Sequence, residues 1–129
     1  MLTNEFILKY RNVDEKDYRG TEAEHLWENG IRRIVRNPYL ICKDGFTMSV
    51  QASESHYSEP KAFADEYSEV EIGYPSNMEN LIMDYCEDHQ DPCGTVYGYV
   101  PVELVDRVID KHGGIDEDAV IEQIEGHER

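Results

Sequence analysis

Cysteine and histidine come first, because between them they supply most nucleophiles and soft metal ligands. Cys86, His89 and Cys93 are spaced Cys-x2-His-x3-Cys, and Cys42 completes a Cys3His set of the kind that tetrahedral zinc accepts. Against zinc stand the place of Cys86 on the apolar stripe of an expected helix, Pro92 inside the segment, and the lack of a second closely spaced pair. The same side chains allow a thiolate-imidazole pair, Cys42 or Cys93 with His25, His56 or His89, since such partners meet in space and not in sequence. A reactive thiolate needs positive surroundings, whereas residues 84–93 carry Asp84, Glu87, Asp88 and Asp91 and no Lys or Arg. The expectation is a chain with no catalytic residues, no cofactor and no metal. A small metal- or thiol-dependent module using Cys42, Cys86, His89 and Cys93 is the alternative.

Carboxylates are too numerous for any pair to signal acid-base work: Glu69 with Glu71, or Glu54 with Glu59, is what a solvated face also produces. No GxGxxG, Walker A, HExxH, GxSxG or EF-hand loop occurs, and Gly113-Gly114 reads as a helix stop, not a phosphate cradle. The distribution of charge says more than its total. Residues 1–43 hold eight Lys/Arg and seven Asp/Glu, net +1, while residues 44–129 hold four and twenty-one, net −17, summing to the −16 of the chain. Such a field repels phosphate and anionic lipid and favours a basic protein surface as partner, with no direct nucleic acid and no membrane. Glu69 and Glu71 are spaced about 6.8 Å apart along one face of an expected strand. Glu103, Asp106 and Asp110 recur every three or four residues on a helix. With Glu54, Glu59, Asp65 and Glu66 from an intervening loop, these residues form the expected contact surface, a row of negative charges resembling a nucleic-acid backbone. Tyr57, Tyr67, Trp27 and the arginines are candidate anchors, although Trp27 also fits a core position. Acidity that only keeps the protein in solution is the competing account, and a regulatory interaction domain without mimicry is a third.

The elements that must carry these side chains follow from periodicity. At 129 residues, 40% of them hydrophobic, the chain is expected to fold as one domain, 1–129, without disulfide support. Three cysteines cannot all pair, no signal peptide precedes them, and no apolar run approaches the roughly 18 residues of a membrane span, so a cytoplasmic protein is expected. Phe6, Leu8 and Tyr10 alternate as in a strand, and Asn12 to Gly20 reads as a charged connection. Thr21 and Glu24 form a capping box that opens a helix carrying Ala23, Leu26, Trp27, Ile31 and Ile34, with Arg32, Arg33 and Arg36 in its last turn. Residues 40–50 form a hairpin about Asp44-Gly45, with Ile41 facing Met48, Tyr39 facing Val50, and Cys42 on the second face beside Thr47. Residues 53–66 read as an exposed loop, and Val70, Ile72 and Tyr74 as the buried face of a strand. Ser76 and Glu79 form a second capping box, for a helix with Met78, Leu81, Ile82 and Tyr85 inward. A strand over 95–100 places Tyr97 and Tyr99 on one face. A helix from Pro101 buries Leu104, Val105, Val108 and Ile109, and residues 116–129 form a terminal helix and tail with Val120, Ile121 and Ile124. The fold class is α+β: a mostly antiparallel sheet of four to five strands, three helices and a short C-terminal helix.

One stretch has a further likeness. Residues 37–53, NPYLICKDGFTMSVQAS, followed by His56-Tyr57, by EVEIGYPS at 69–76 and by TVYGYVP at 95–101, resemble small acidic proteins of bacteriophages and bacterial mobile elements. The resemblance covers about residues 37–115 and leaves 1–36 as an N-terminal addition. It implies no activity. It implies a phage or mobile-element setting, in which small acidic proteins often inhibit bacterial defence enzymes such as CRISPR effectors and restriction systems. With the row of acids described above, the expected function is inhibition of such a nucleic-acid-binding enzyme by nucleic-acid mimicry.

Overall fold

The computed structural model describes residues 1–15, 19–22, 24–31 and 33–127. Its elements are α1 (Thr3–Tyr10), β1 (Asn12–Glu15), α2 (Glu24–Glu28), β2 (Arg33–Arg36), β3 (Leu40–Ile41), β4 (Thr47–Gln51), β5 (Glu69–Gly73), a 3-10 helix (Asn80–Tyr85), β6 (Val96–Pro101), α3 (Val102–Lys111) and α4 (Glu117–His127). β3 to β6 form a four-stranded antiparallel sheet in sequence order, and β1 pairs with β2 in a separate two-stranded ribbon. The class is α+β, as expected. No described helix is long and apolar enough to cross a membrane.

The N-terminal third differs from the sequence reading. Phe6, Ile7 and Tyr10 lie one and four residues apart, which puts them on one side of a helix, and α1 forms where a strand was expected. Phe6 and Ile7 are fully buried in the same core cluster as the sheet, so α1 packs on the rest of the chain. The helix expected to run on to Ile34 is only α2; the chain turns at Asn29-Gly30, and β-branched Ile34 and Val35 enter β2, with Val13 opposite Val35. Arg36 accordingly ends a strand, not a helix. Ala23 and Arg32, and the side chains of Trp27 and Arg33, lie outside the described residues.

In the hairpin the register is one residue from expectation: Leu40 pairs with Met48 and Ile41 with Thr47. The Gly45 N–H donates to Cys42 O and the Cys42 N–H to Phe46 O, enclosing a three-residue loop in which Gly45 has φ +95°. A one-residue slip exchanges the faces of a strand. Leu40, Cys42, Phe46, Met48 and Val50 therefore enter the core and Tyr39 is exposed. The outer edge of β3 is covered: Asp116 N–H donates to Ile41 O, Lys43 N–H to Gly114 O, and the Gln123 amide takes both backbone groups of Tyr39.

β6 carries the feature that shapes its outer surface. Val70 pairs with Val100 but Ile72 with Tyr97, so Gly98 and Tyr99 together oppose Glu71, a β-bulge in which Tyr99 takes φ +54°. The extra residue reverses the alternation, and Tyr97 is fully buried while Tyr99 faces outward. Tyr74, expected inside, is exposed with φ +50° just past the end of β5.

Between β5 and β6, Ser76 Oγ accepts the Thr47 N–H instead of capping a helix, and the Glu79 carboxylate caps the 3-10 helix through the Leu81 N–H. Ile82 is buried but Met78 is 62% exposed. The sheet's inner face packs with Phe6, Ile7, Ile82, Val105, Val108, Ile109 and Val120. Its outer face carries Thr47, Ser49, Gln51, Glu69, Glu71 and Gly98, and the residue 53–68 loop folds back along β5, with Glu59 bridged to Glu69. That loop is less open than expected, since Ser53, Ser58 and Tyr67 are buried.

Candidate interaction surface

The nine acids singled out from sequence separate into three groups. Glu66 of the loop and Glu103 and Asp106 of α3 line one open cleft of about 440 Å3, together with Asn4, Pro60 and Ser68. Two backbone links set this arrangement: Val102 N–H donates to Ser68 O at the start of α3, and Asn4 exchanges two hydrogen bonds with the Tyr67 backbone. Glu59 and Glu69, joined by a backbone bridge, adjoin the lining residues Pro60 and Ser68 in the chain, and Ser68 Oγ donates to Glu59 O; exposed Asp65 precedes Glu66. Asp106 has a structural duty as well. Its Oδ1 accepts the N–H of Thr3, at 3.0 Å, and the Thr3 hydroxyl, so a carboxylate of α3 caps the positive end of α1.

Glu71 belongs to a different surface. Its Oε2 accepts the Tyr57 N–H at 3.0 Å, and the Tyr99 N–H donates to Tyr57 O, laying the loop over the bulge. A Cβ on Gly98 would stand 3.3 Å from Tyr57 Cβ, a tight approach that glycine relieves, and 3.5 Å from Glu87 Oε1, an ordinary contact. Burial raises the Glu71 pKa, and the Glu87 charge adds to the rise while the Tyr57 N–H opposes it. Tyr57 and Tyr99 stand beside each other with ring centroids 5.8 Å apart, and Lys61 Nζ lies 5.2 Å from the Tyr57 centroid. The third group does not converge: Glu54 is half-buried in the loop, and Asp110 is exposed farther along α3. Of the expected anchors, Tyr57 is at the surface, whereas Tyr67 is buried with its hydroxyl between Ala62 O and Ala64 N.

The thiols and histidines are dispersed. Cys42 is buried, paired with Ile115 across an isolated bridge, and burial followed by the Asp44 charge pushes its thiol up to about 12. Cys86 is buried and donates to Asp88 O, and Cys93 is exposed. Among the described residues no group of three or more His, Cys, Asp or Glu side chains is disposed to hold a metal ion. His56 hydrogen-bonds Ser53 Oγ at 2.6 Å, and burial, with Arg36 nearby, holds it down at about 4.

One cluster has no counterpart in the sequence reading. His112, in the residue after α3, places Nδ1 2.6 Å from Asp44 of the hairpin loop and Nε2 2.8 Å from Glu79, while its ring stacks on Phe46 at 4.1 Å. Glu79 is 1% exposed and also bonded to Lys111. Burial disfavours the charged imidazole, but the hydrogen bonds to Asp44 and Glu79 outweigh it and raise the His112 pKa. The Glu79 carboxyl, which burial alone would raise, is held below its usual range by the Leu81 N–H, His112 and Lys111. The cluster ties the hairpin loop, the 3-10 helix and the end of α3 together. With both ring nitrogens occupied by carboxylates, its histidine has no free nitrogen to serve as a base. The chain has no match among protein-family models, curated proteins or solved structures.

Proposed function

We propose that this is a non-enzymatic acidic binding protein that docks on the basic surface of a nucleic-acid-binding protein. The observation that carries the reading is the cleft at the start of α3, lined by Glu66 of the loop with Glu103 and Asp106 of the helix. Like charges held together repel in the free protein, and a basic partner relieves that repulsion on docking, which favours rapid association at low salt. A net charge of −16 supports the same choice of partner. The narrower identity joins two supports: the phage or mobile-element setting and the bacterial defence enzyme as target rest on the resemblance of residues 37–115, and nucleic-acid mimicry rests on the spacing of the acidic side chains.

The test is a pull-down from a bacterial lysate at low salt, with Glu66→Lys and Glu103→Lys variants alongside. Asp106 is left intact because it caps α1. A partner that is released by raised salt, displaced by added DNA, and not retained by the variants supports the reading. Binding that withstands salt and both charge reversals overturns it.

A further inference from the structure

The outer face of the β6 bulge has what a cationic side chain requires. Tyr57 and Tyr99 are 41% and 42% exposed, and their rings stand side by side with a tilt of 36°. Glu71 and Glu87 border them, one through its bond to the Tyr57 N–H and the other above Gly98. Burial and the Glu87 charge act against the ionised form of Glu71, and the Lys61 charge favours it. Two aromatic faces beside two carboxylates are complementary to a planar, delocalised cation. The protein already fills part of this role for itself, since the Lys61 ammonium is poised over Tyr57. A lysine ammonium is strongly hydrated and stacks poorly, whereas a guanidinium stacks on a ring and bonds a carboxylate at its edge.

We infer that Tyr57 and Tyr99, with Glu71 and Glu87, form a seat for an arginine side chain of the basic protein partner, with Lys61 as its internal placeholder. The inference rests on the reading of the protein as a binder of basic surfaces, and it deepens that reading by naming the residue type recognised. The seat lies on a surface separate from the acidic cleft, and the residue 53–68 loop contributes to both.

The test titrates the whole protein at low salt with an oligo-arginine peptide and an oligo-lysine peptide of equal length, by calorimetry and by NMR of the tyrosine rings. Arginine is expected to bind about two- to fivefold more tightly than lysine, the range set by exposed cation-π contacts, and to shift the Tyr57 and Tyr99 ring signals. In a Tyr57→Leu/Tyr99→Asn double variant, in which Asn tolerates the left-handed backbone at 99, the preference is expected to vanish. Lys61→Gln removes the placeholder and is expected to tighten oligo-arginine binding about two- to threefold more than oligo-lysine binding, a selective gain that neither misfolding nor the lost positive charge produces. Equal binding of the two peptides to the wild type, or an arginine preference that survives the double variant, overturns the seat and leaves the basic-partner reading standing. Failure of both peptides to bind removes that reading and the seat with it.

Discussion

His56 and His112 start from the same ordinary value, 6.5, and the fold moves them in opposite directions. For His56 the folded pKa, about 4, lies below the unfolded one, so the stability tied to its neutral form is complete above about 6.5 and is lost as pH falls toward 4. For His112 the folded pKa is raised, so its contribution is complete below 6.5 and is lost as pH rises through the raised value. Thermal stability is therefore expected to peak near pH 6.5. His56→Gln should flatten the acid limb of the profile and His112→Gln the alkaline limb, and calorimetry across pH reads both. An NMR titration of His56 with a midpoint above 6 would contradict the acid-side account. The thiols divide in the same local way. A disulfide reagent is expected to label the exposed Cys93 in the native protein, to leave buried Cys42 and Cys86 unreacted, and to reach all three on unfolding.

Elements were legible where the chain's own periodicity governs them. β5 and α3 emerge with most of the expected buried residues, Val70 and Ile72 by alternation and Val105, Val108 and Ile109 by helical spacing, while Tyr74 is exposed and Leu104 only partly buried. The hairpin was visible in outline, but its register was not, since a two-residue and a three-residue loop both accept Asp44-Gly45. Only the burial of Leu40 and Cys42 selects between them. Gly45→Ala should destabilise the protein by about 1–2 kcal/mol, the usual cost of a left-handed residue with a Cβ, measured by denaturant unfolding. A change within error would mean that the loop relaxes to another turn. Glu79, read as one half of a capping box, instead joins the 3-10 helix to α3. Glu79→Gln keeps its shape and removes its charge, and should cost about 1–3 kcal/mol through the weakened bonds to His112 and Lys111. The same variant should also lower the His112 pKa.

For the whole molecule, composition determined the acidity, the lack of any apolar stretch long enough for a membrane span, and the α+β class, because these depend on counts and periods that no tertiary contact alters. The candidate acids were named from sequence, yet only tertiary structure divided them. Asp106 caps α1, Glu71 holds Tyr57 on the bulge, and Glu66 and Glu103 face the open cleft. The arginine seat and the Asp44-His112-Glu79 cluster could not be read in advance. Their members lie up to 42 and 68 residues apart in the chain and meet only once β6 has bulged and the hairpin loop has docked on the end of α3. Side-chain type and spacing are local properties, whereas the direction in which a side chain points depends on register, and register is settled by which apolar residues the core accepts.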